Sequence, residues 1–383
     1  MAQHAAHTRS THRRALIAGA ATAIVVTSAM CAAAAWSSIP APSSFGGFAS
    51  TFATALQSGV ADVRDACAVE RVRAADPPSL AQTEAPPAAR APYAPTLADL
   101  ESLPGQADPL AFCLNPESPD EAPALSEASA ASLQEAREAF VDRGWDVGYL
   151  LVDLETGRGL AGNLDVAAYG ASTFKAPYAL YLCETQLDTG LAAFDTPCFE
   201  GPATAFMDPA GTYLHDGIAS YPLGDLVADS IMQSDNDSYR ILRASYDAAG
   251  FPGWIADQQL PSSLTDDWFP TYSTRTSGML WLLTAQYLNG DAASAAWLSE
   301  LLGQSETSFL RNALPQEAVV RGKAGWYADD DPAFCGTCDA GIVSAGGRDY
   351  LVCAMSTAPF SADGQGLLES LLTAVFDARG DVM

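Results

Sequence analysis

Residues 169–180 read YGASTFKAPYAL, with Ser172 and Lys175 three apart at the start of a helical pattern running through STFKAPYALYLCETQLDTG. Side chains three apart on a helix share a face, so this hydroxyl and this amine can meet. A serine becomes nucleophilic when a neighbouring base takes its proton, and a lysine amine can act as that base once its pKa falls from about 10.4. Burial and a second cation nearby are the means of lowering it. Of the 19 basic residues only Lys175 and Lys323 are lysine; the other 17 are arginine. Arginine cannot lose its proton in a protein, so a lysine kept among arginines points to chemistry that arginine cannot do. An Ala- and Arg-rich composition is the bland explanation, and the surroundings of the two lysines decide between the two.

Working outward, SLQEAREAFVDRG has helical spacing and stops at Gly144. The segment WDVGYLLVDLETGRGLAGN then alternates around a Glu155-Thr156-Gly157 turn, as a strand hairpin does. After Ser172 the chain is mostly helical to about Gly303. It returns to strands in AVVRGKAGW, CDAGIVSA and DYLVCAMST, and closes with the helical GLLESLLTAVFDARG. Strands at both ends with helices between predict an α/β (α+β) domain from about Ala128 to Met383. One antiparallel sheet is built from both ends, flanked by helices, with an all-helical lobe inserted.

Two further motifs lie in this domain. Ser234-Asp235-Asn236 stands 62 residues after Ser172, in IMQSDNDSYRILR. Taken alone it reads as a helix N-cap, because all three residue types favour that position. Lys323-Ala324-Gly325 follows 89 residues later, in VVRGKAGWYADDD, on a strand of the sheet. Alone it is an exposed strand lysine before a turn.

Together and in this order, the three resemble the SxxK, SDN and KTG elements of class A β-lactamases and penicillin-binding proteins. The YGASTFKAPYAL context, the TSGMLWLLTAQYLNG helix and the pair KAGW with DAGIVSAGGRDYLV share the resemblance. It implies that Ser172 is the acylated nucleophile and Lys175 its general base. Ser234 would pass the proton to the leaving amine, and Asn236 would hold the substrate amide. Lys323 would meet the substrate carboxylate and help to lower the pKa of Lys175. The backbone N–H groups of Ser172 and Trp326 would form the oxyanion hole, with Ala324 and Gly325 lining the same strand. The implied ligand is a β-lactam or a peptidoglycan peptide; no metal or cofactor is implied, and a monomer is expected.

Two departures stand out. Ala324 replaces the threonine of KTG, removing a hydroxyl for the substrate carboxylate, at a cost of about 1.5–3 kcal/mol. The stretch 250–273 holds Asp257, Asp266 and Asp267 but no glutamate to activate a deacylating water. A slowly deacylating enzyme is therefore expected. The rival readings are a penicillin-binding D,D-peptidase-like enzyme and a non-catalytic envelope binding module on the same fold. An intact Ser/Lys/Ser/Asn set speaks for an enzyme, since a pure binder has no use for a deprotonatable lysine beside a serine. A Ser-His-Asp hydrolase is disfavoured: there is no GxSxG element, and His215 is the sole histidine outside the N-terminal tail.

Ahead of the domain, residues 1–14 form a basic tail with Arg9, Arg13 and Arg14. The uncharged run Ala15 to Trp36 follows, 22 residues long. That length spans a bilayer as a signal anchor, whereas the small residues Ala32 to Ala35 suit cleavage of a signal peptide. Either way the chain reads as exported, anchored in the membrane if uncleaved and secreted if cleaved. Residues 37–127, rich in Ala, Pro and Ser, read as a spacer. A net charge of −27 argues against nucleic acid and anionic lipid headgroups as partners. Export permits disulfides, and Cys183 with Cys198, or Cys335 with Cys338, are the local pairs to expect.

Overall fold

The computed structural model describes residues 93–117, 123–199 and 220–383, all within the compact unit Pro86–Met383. The basic tail, the apolar run, Cys67 and His215 lie outside the described residues. No helix among the described residues is long and apolar enough to cross a membrane.

The sheet is antiparallel and has six strands. They are β1 (Leu110–Cys113), β2 (Val147–Asp153), β3 (Arg158–Gly162), β8 (Val319–Tyr327), β9 (Gly336–Ala345) and β10 (Arg348–Ser356), in the order β1-β3-β2-β10-β9-β8; outside it, the short strands β4 (Ala167–Tyr169) and β7 (Thr271–Ser273) pair, as do β5 (Pro197–Phe199) and β6 (Ser220–Pro222). The two ends of the domain meet at its centre, where Leu151 of β2 pairs with Val352 of β10. Alternation along β2 sorts its side chains between two cores. Val147, Tyr149 and Leu151 join one apolar cluster, while Leu150 and Val152 join the other. Gly157 (φ 69°) turns the β2–β3 hairpin, and Gly346 (φ 60°) with Gly347 (φ 79°) turns β9 into β10. Left-handed φ at those turns is reached cheaply by glycine.

Helices α2 (Glu127–Val141) and α10 (Ala362–Asp377) cover one face, burying Leu133, Phe140, Leu368, Leu372 and Phe376. The other face meets the inserted lobe, whose helices α3 (Lys175–Leu182), α4 (Leu223–Met232), α5 (Asn236–Tyr246) and α6 (Phe251–Asp257) lead to α7 (Thr274–Leu288) and α8 (Ala295–Gly303), and the short α9 (Phe309–Ala313) precedes β8. Helix α7 runs behind the sheet with Trp281 1% exposed. It occupies the position predicted from TSGMLWLLTAQYLNG.

The domain takes in more of the chain than residues 128–383. Strand β1 pairs with β3 from Leu110↔Ala161 to Cys113↔Arg158, and α1 (Leu97–Glu101) buries Leu100. Both fall in the stretch read as spacer. Four-residue LAFC among prolines carries too short a pattern to separate an edge strand from a loop.

The expected disulfides are absent among the described residues: Cys113, Cys183, Cys198, Cys335, Cys338 and Cys353 are all free thiols. Cys335 enters strand β9 and Cys338 lies on it, so the chain between them is extended. Three extended residues span about 10 Å, beyond the reach of a disulfide. Cys335 Sγ instead lies 3.3 Å from the Asp329 carbonyl, and Cys338 Sγ 3.6 Å from that of Ser356. Cys198 Sγ faces Tyr246 Oη at 3.9 Å, whereas Cys183 is buried beside Tyr287.

Phe112 of β1 is 6% exposed in the core, its ring against Gly159. Phe112→Ala should lower the unfolding free energy by about 3–5 kcal/mol. A urea midpoint that does not move would show β1 to be dispensable.

Candidate active site

Ser172 lies on the 3₁₀ turn Ala171–Phe174, half-buried, and Lys175 opens α3 at 1% exposure. The residue before the serine, Ala171, takes φ 45°. A left-handed conformation at a residue with a Cβ costs about 1–3 kcal/mol and persists where the surroundings impose it. Strand β8 supplies that constraint. A Cβ on Gly325 would lie 2.4 Å from Gly170 O, 2.5 Å from Thr173 N and 2.8 Å from Ser172 N. Only glycine lets the sheet edge press this closely on the nucleophile's turn.

Ser234 occupies the bend between α4 and α5, at φ 59°. Asp235 is the N-cap of α5, accepting from Ser238 N and Ser238 Oγ, each at 2.7 Å. The cap expected of this tripeptide is therefore real, but the aspartate performs it, leaving Ser234 and Asn236 to face the two lysines. Lys175 Nζ donates to Ser234 O at 2.6 Å and to Asn236 Oδ1 at 2.7 Å, with Asp235 O at 3.3 Å and Ser234 Oγ at 3.4 Å. Lys323 Nζ donates to Ser234 Oγ at 3.0 Å and to Ala324 O at 2.9 Å. Both lysines thus converge on one serine.

Lys323 is completely buried on β8, and desolvation lowers its pKa from 10.5 to about 8 against the opposing pull of Asp339. Asp339 lies on β9 opposite Ala324, also at 0% exposure. It accepts from Ser308 Oγ at 3.1 Å and Leu310 N at 2.9 Å, and burial raises its pKa to about 6. Nothing in the sequence motifs pointed to this aspartate; its only signal was a charge inside the apolar strand CDAGIVSA.

The other strand residues divide. Trp326 is half-buried against Phe309 and Phe360, its ring centroid 5.8 Å from Lys323 Nζ. Ala324 corrects an expectation: its side chain, at 0% exposure, belongs to the apolar cluster of Phe309, Leu310 and Val343. Alternation along β8 turns residue 324 to the face opposite Lys323, so Ala324 offers the site its carbonyl and not its methyl.

On the far side of Lys175 stand Tyr239 and Phe269, with ring centroids 5.6 and 5.8 Å from Nζ. Asp257, Asp266 and Asp267 are all exposed. The segment before Phe269 is pinned by its Trp268 carbonyl, which accepts from Tyr239 Oη at 2.8 Å and Arg243 Nη1 at 3.1 Å. Arg243 is itself 1% exposed, paired with Asp247 at 2.7 Å and stacked near Tyr178 and Phe251.

The model of the β-lactamase enzyme family matches residues 131–376, most of the chain, and the protein belongs to that family. No curated protein sequence matches it. Among solved structures, PBP-A is 20% identical with a TM-score of 0.56, over 65% of this chain and 96% of that one. A β-lactamase from Chitinophaga pinensis DSM 2588 is 20% identical with a TM-score of 0.54, over 65% and 99%. An ancestral class A β-lactamase gives 20% and 0.54, over 64% and 99%. These likenesses establish the β-lactamase/transpeptidase fold.

Between pH 8 and 10.5 the unfolded chain keeps a proton on Lys323 that the folded protein has released. Lys323 alone therefore adds up to about 3 kcal/mol of stability as pH rises across that window, while the thiols of Cys183, Cys338 and Cys353, whose pKa values burial raises, remove stability over the same range. The lysine's share should be read as a wild-type advantage over Lys323→Met in denaturant midpoint that grows with pH. Parallel pH profiles would contradict the lowered value.

Proposed function

We propose that this protein is an exported serine hydrolase of β-lactamase type, acting through a Ser172 acyl-enzyme on β-lactams or related amide bonds and deacylating slowly. The observation that carries the reading is that Lys175, three residues after the nucleophile, and Lys323 converge on Ser234.

Ser172 Oγ attacks the carbonyl carbon while Lys175 accepts its proton. The resulting oxyanion is held by the backbone N–H groups of Ser172 and Trp326. Collapse breaks the C–N bond, and the proton reaches the leaving nitrogen through Lys175 and the Ser234 hydroxyl. Lys323 orients that hydroxyl and supplies positive charge for an anionic substrate group. Asn236, bound to Lys175, presents its amide to the acyl half. Hydrolysis then needs a water and a base on the Lys175 side, where Phe269 and Tyr239 present rings instead of a carboxylate. Slow turnover follows, which also fits a D,D-peptidase-like enzyme on peptidoglycan peptides. The apolar run Ala15 to Trp36 supports export, with the catalytic domain outside the cytoplasm.

The test is to incubate full-length protein with a fluorescent penicillin and follow the adduct by intact mass. A single long-lived adduct is expected, absent from Ser172→Ala. Lys175→Arg should abolish it, because arginine cannot accept the proton. Lys323→Arg, which keeps the charge, should only slow its formation. Equal losses in the two lysine variants would refute the division of roles, and no adduct on folded wild type would refute the penicillin reading.

A further inference from the structure

Past Lys323 and Gly325, β8 runs on to Trp326 and Tyr327, where it meets a group of rings outside the catalytic cluster. Tyr169 stands just ahead of the turn that carries Ser172. Its ring centroid lies 5.9 Å from that of Tyr327 and 5.8 Å from that of Phe334, the latter edge-on. Tyr327 is 47% and Phe334 46% exposed, so both keep ring surface open to solvent. The contact is built in: a Cβ on Gly336 would lie 2.2 Å from the Tyr169 carbonyl, so this glycine lets β9 approach β4 (Ala167–Tyr169).

Negative charge gathers at the same place. The Tyr169 phenol is pushed up first by burial and then by the carboxylate of Asp267, with Tyr327, Tyr239 and Asp329 adding to it. Asp267 and Asp329 are exposed, and among the described residues no ion pair occupies either. Asp330 and Asp331 continue the acidic run. Aromatic faces attract a cation within about 6 Å of the ring centroid, and flanking carboxylates strengthen that preference.

The direction of the substrate links this surface to the reaction. The leaving group departs on the Ser234 and Lys323 side, so the acyl half runs the other way along β8, past Gly325 toward Trp326 and Tyr327. We propose that Tyr169, Tyr327 and Phe334, with Asp267 and Asp329, form a subsite for an ammonium group on the acyl half, making an aminoacyl amide or ester the preferred donor. The inference rests on the acyl-enzyme reading above and narrows its substrate class.

The full-length protein tests it with two penicillins that differ by one amino group on the acyl side chain, ampicillin and benzylpenicillin. Second-order acylation of Ser172 is followed by intact mass at pH 6.5 and low salt. Ampicillin should react about five- to tenfold faster. That advantage should shrink with added salt, on N-acetylation of the amine, and in Asp329→Asn or Tyr327→Leu. Equal rates, or a faster benzylpenicillin, overturn the proposal. Reversible binding of 2-phenylethylammonium against 2-phenylethanol, followed by tyrosine fluorescence, separates the subsite from the chemistry. Tighter binding of the ammonium, lost in Asp329→Asn, upholds the subsite even if neither penicillin acylates, an outcome that would sink the β-lactam reading alone. Binding of the ammonium no tighter than the alcohol overturns the subsite even if both penicillins acylate.

Discussion

Two buried ammonium groups reaching for one serine is the constraint around which the domain is arranged. Lys175 arrives from the first helix of the lobe and Lys323 from the edge strand, 148 positions later in the chain. Ser234 receives both only because its backbone takes a left-handed bend that sets its hydroxyl and carbonyl between them. Burying lysine costs free energy, and Lys323 shows that cost in a pKa lowered to about 8. On the proposed reading Lys323 holds a positive charge beside Ser234, and the proton transfer falls to Lys175.

The rest of the fold holds these pieces in register. The sheet brings the two ends of the domain together, and the missing side chain of Gly325 lets its edge touch the nucleophile's turn. Asp235 caps α5 and so fixes the bend at Ser234. Arg243, inside a shell of Tyr178, Tyr239 and Phe251, holds the Trp268 carbonyl and with it the aromatic wall next to Lys175. On the proposed reading, this wall stands where a deacylating carboxylate would be required.

The sheet, the inserted lobe and the residues of the cluster were legible because they rest on strong local signals. Alternation in VGYLLVD and CDAGIVSA marked strands, and three motifs in fixed order marked the site. What escaped depended on contacts between distant segments. LAFC becomes a strand only because β3 offers it an edge. Asp339 matters only because pairing sets it across from Ala324, where its charge acts on Lys323 through the sheet. The motif's third element invited a reading of Ala324 as a missing hydroxyl; strand alternation puts its side chain in the opposite core. The cysteines were misjudged for a similar reason, since spacing along the chain says nothing about whether the segment between them is extended.

Because the chain contains only two lysines, lysine-specific ¹³C labelling gives one Cε signal for each, and their titration reads the central claim directly. The convergence on Ser234 predicts that Ser234→Ala moves both signals together and that the Lys323 signal in the wild type titrates near 8. Two signals titrating near the free-lysine value of about 10.4, indifferent to Ser234→Ala, would contradict the account.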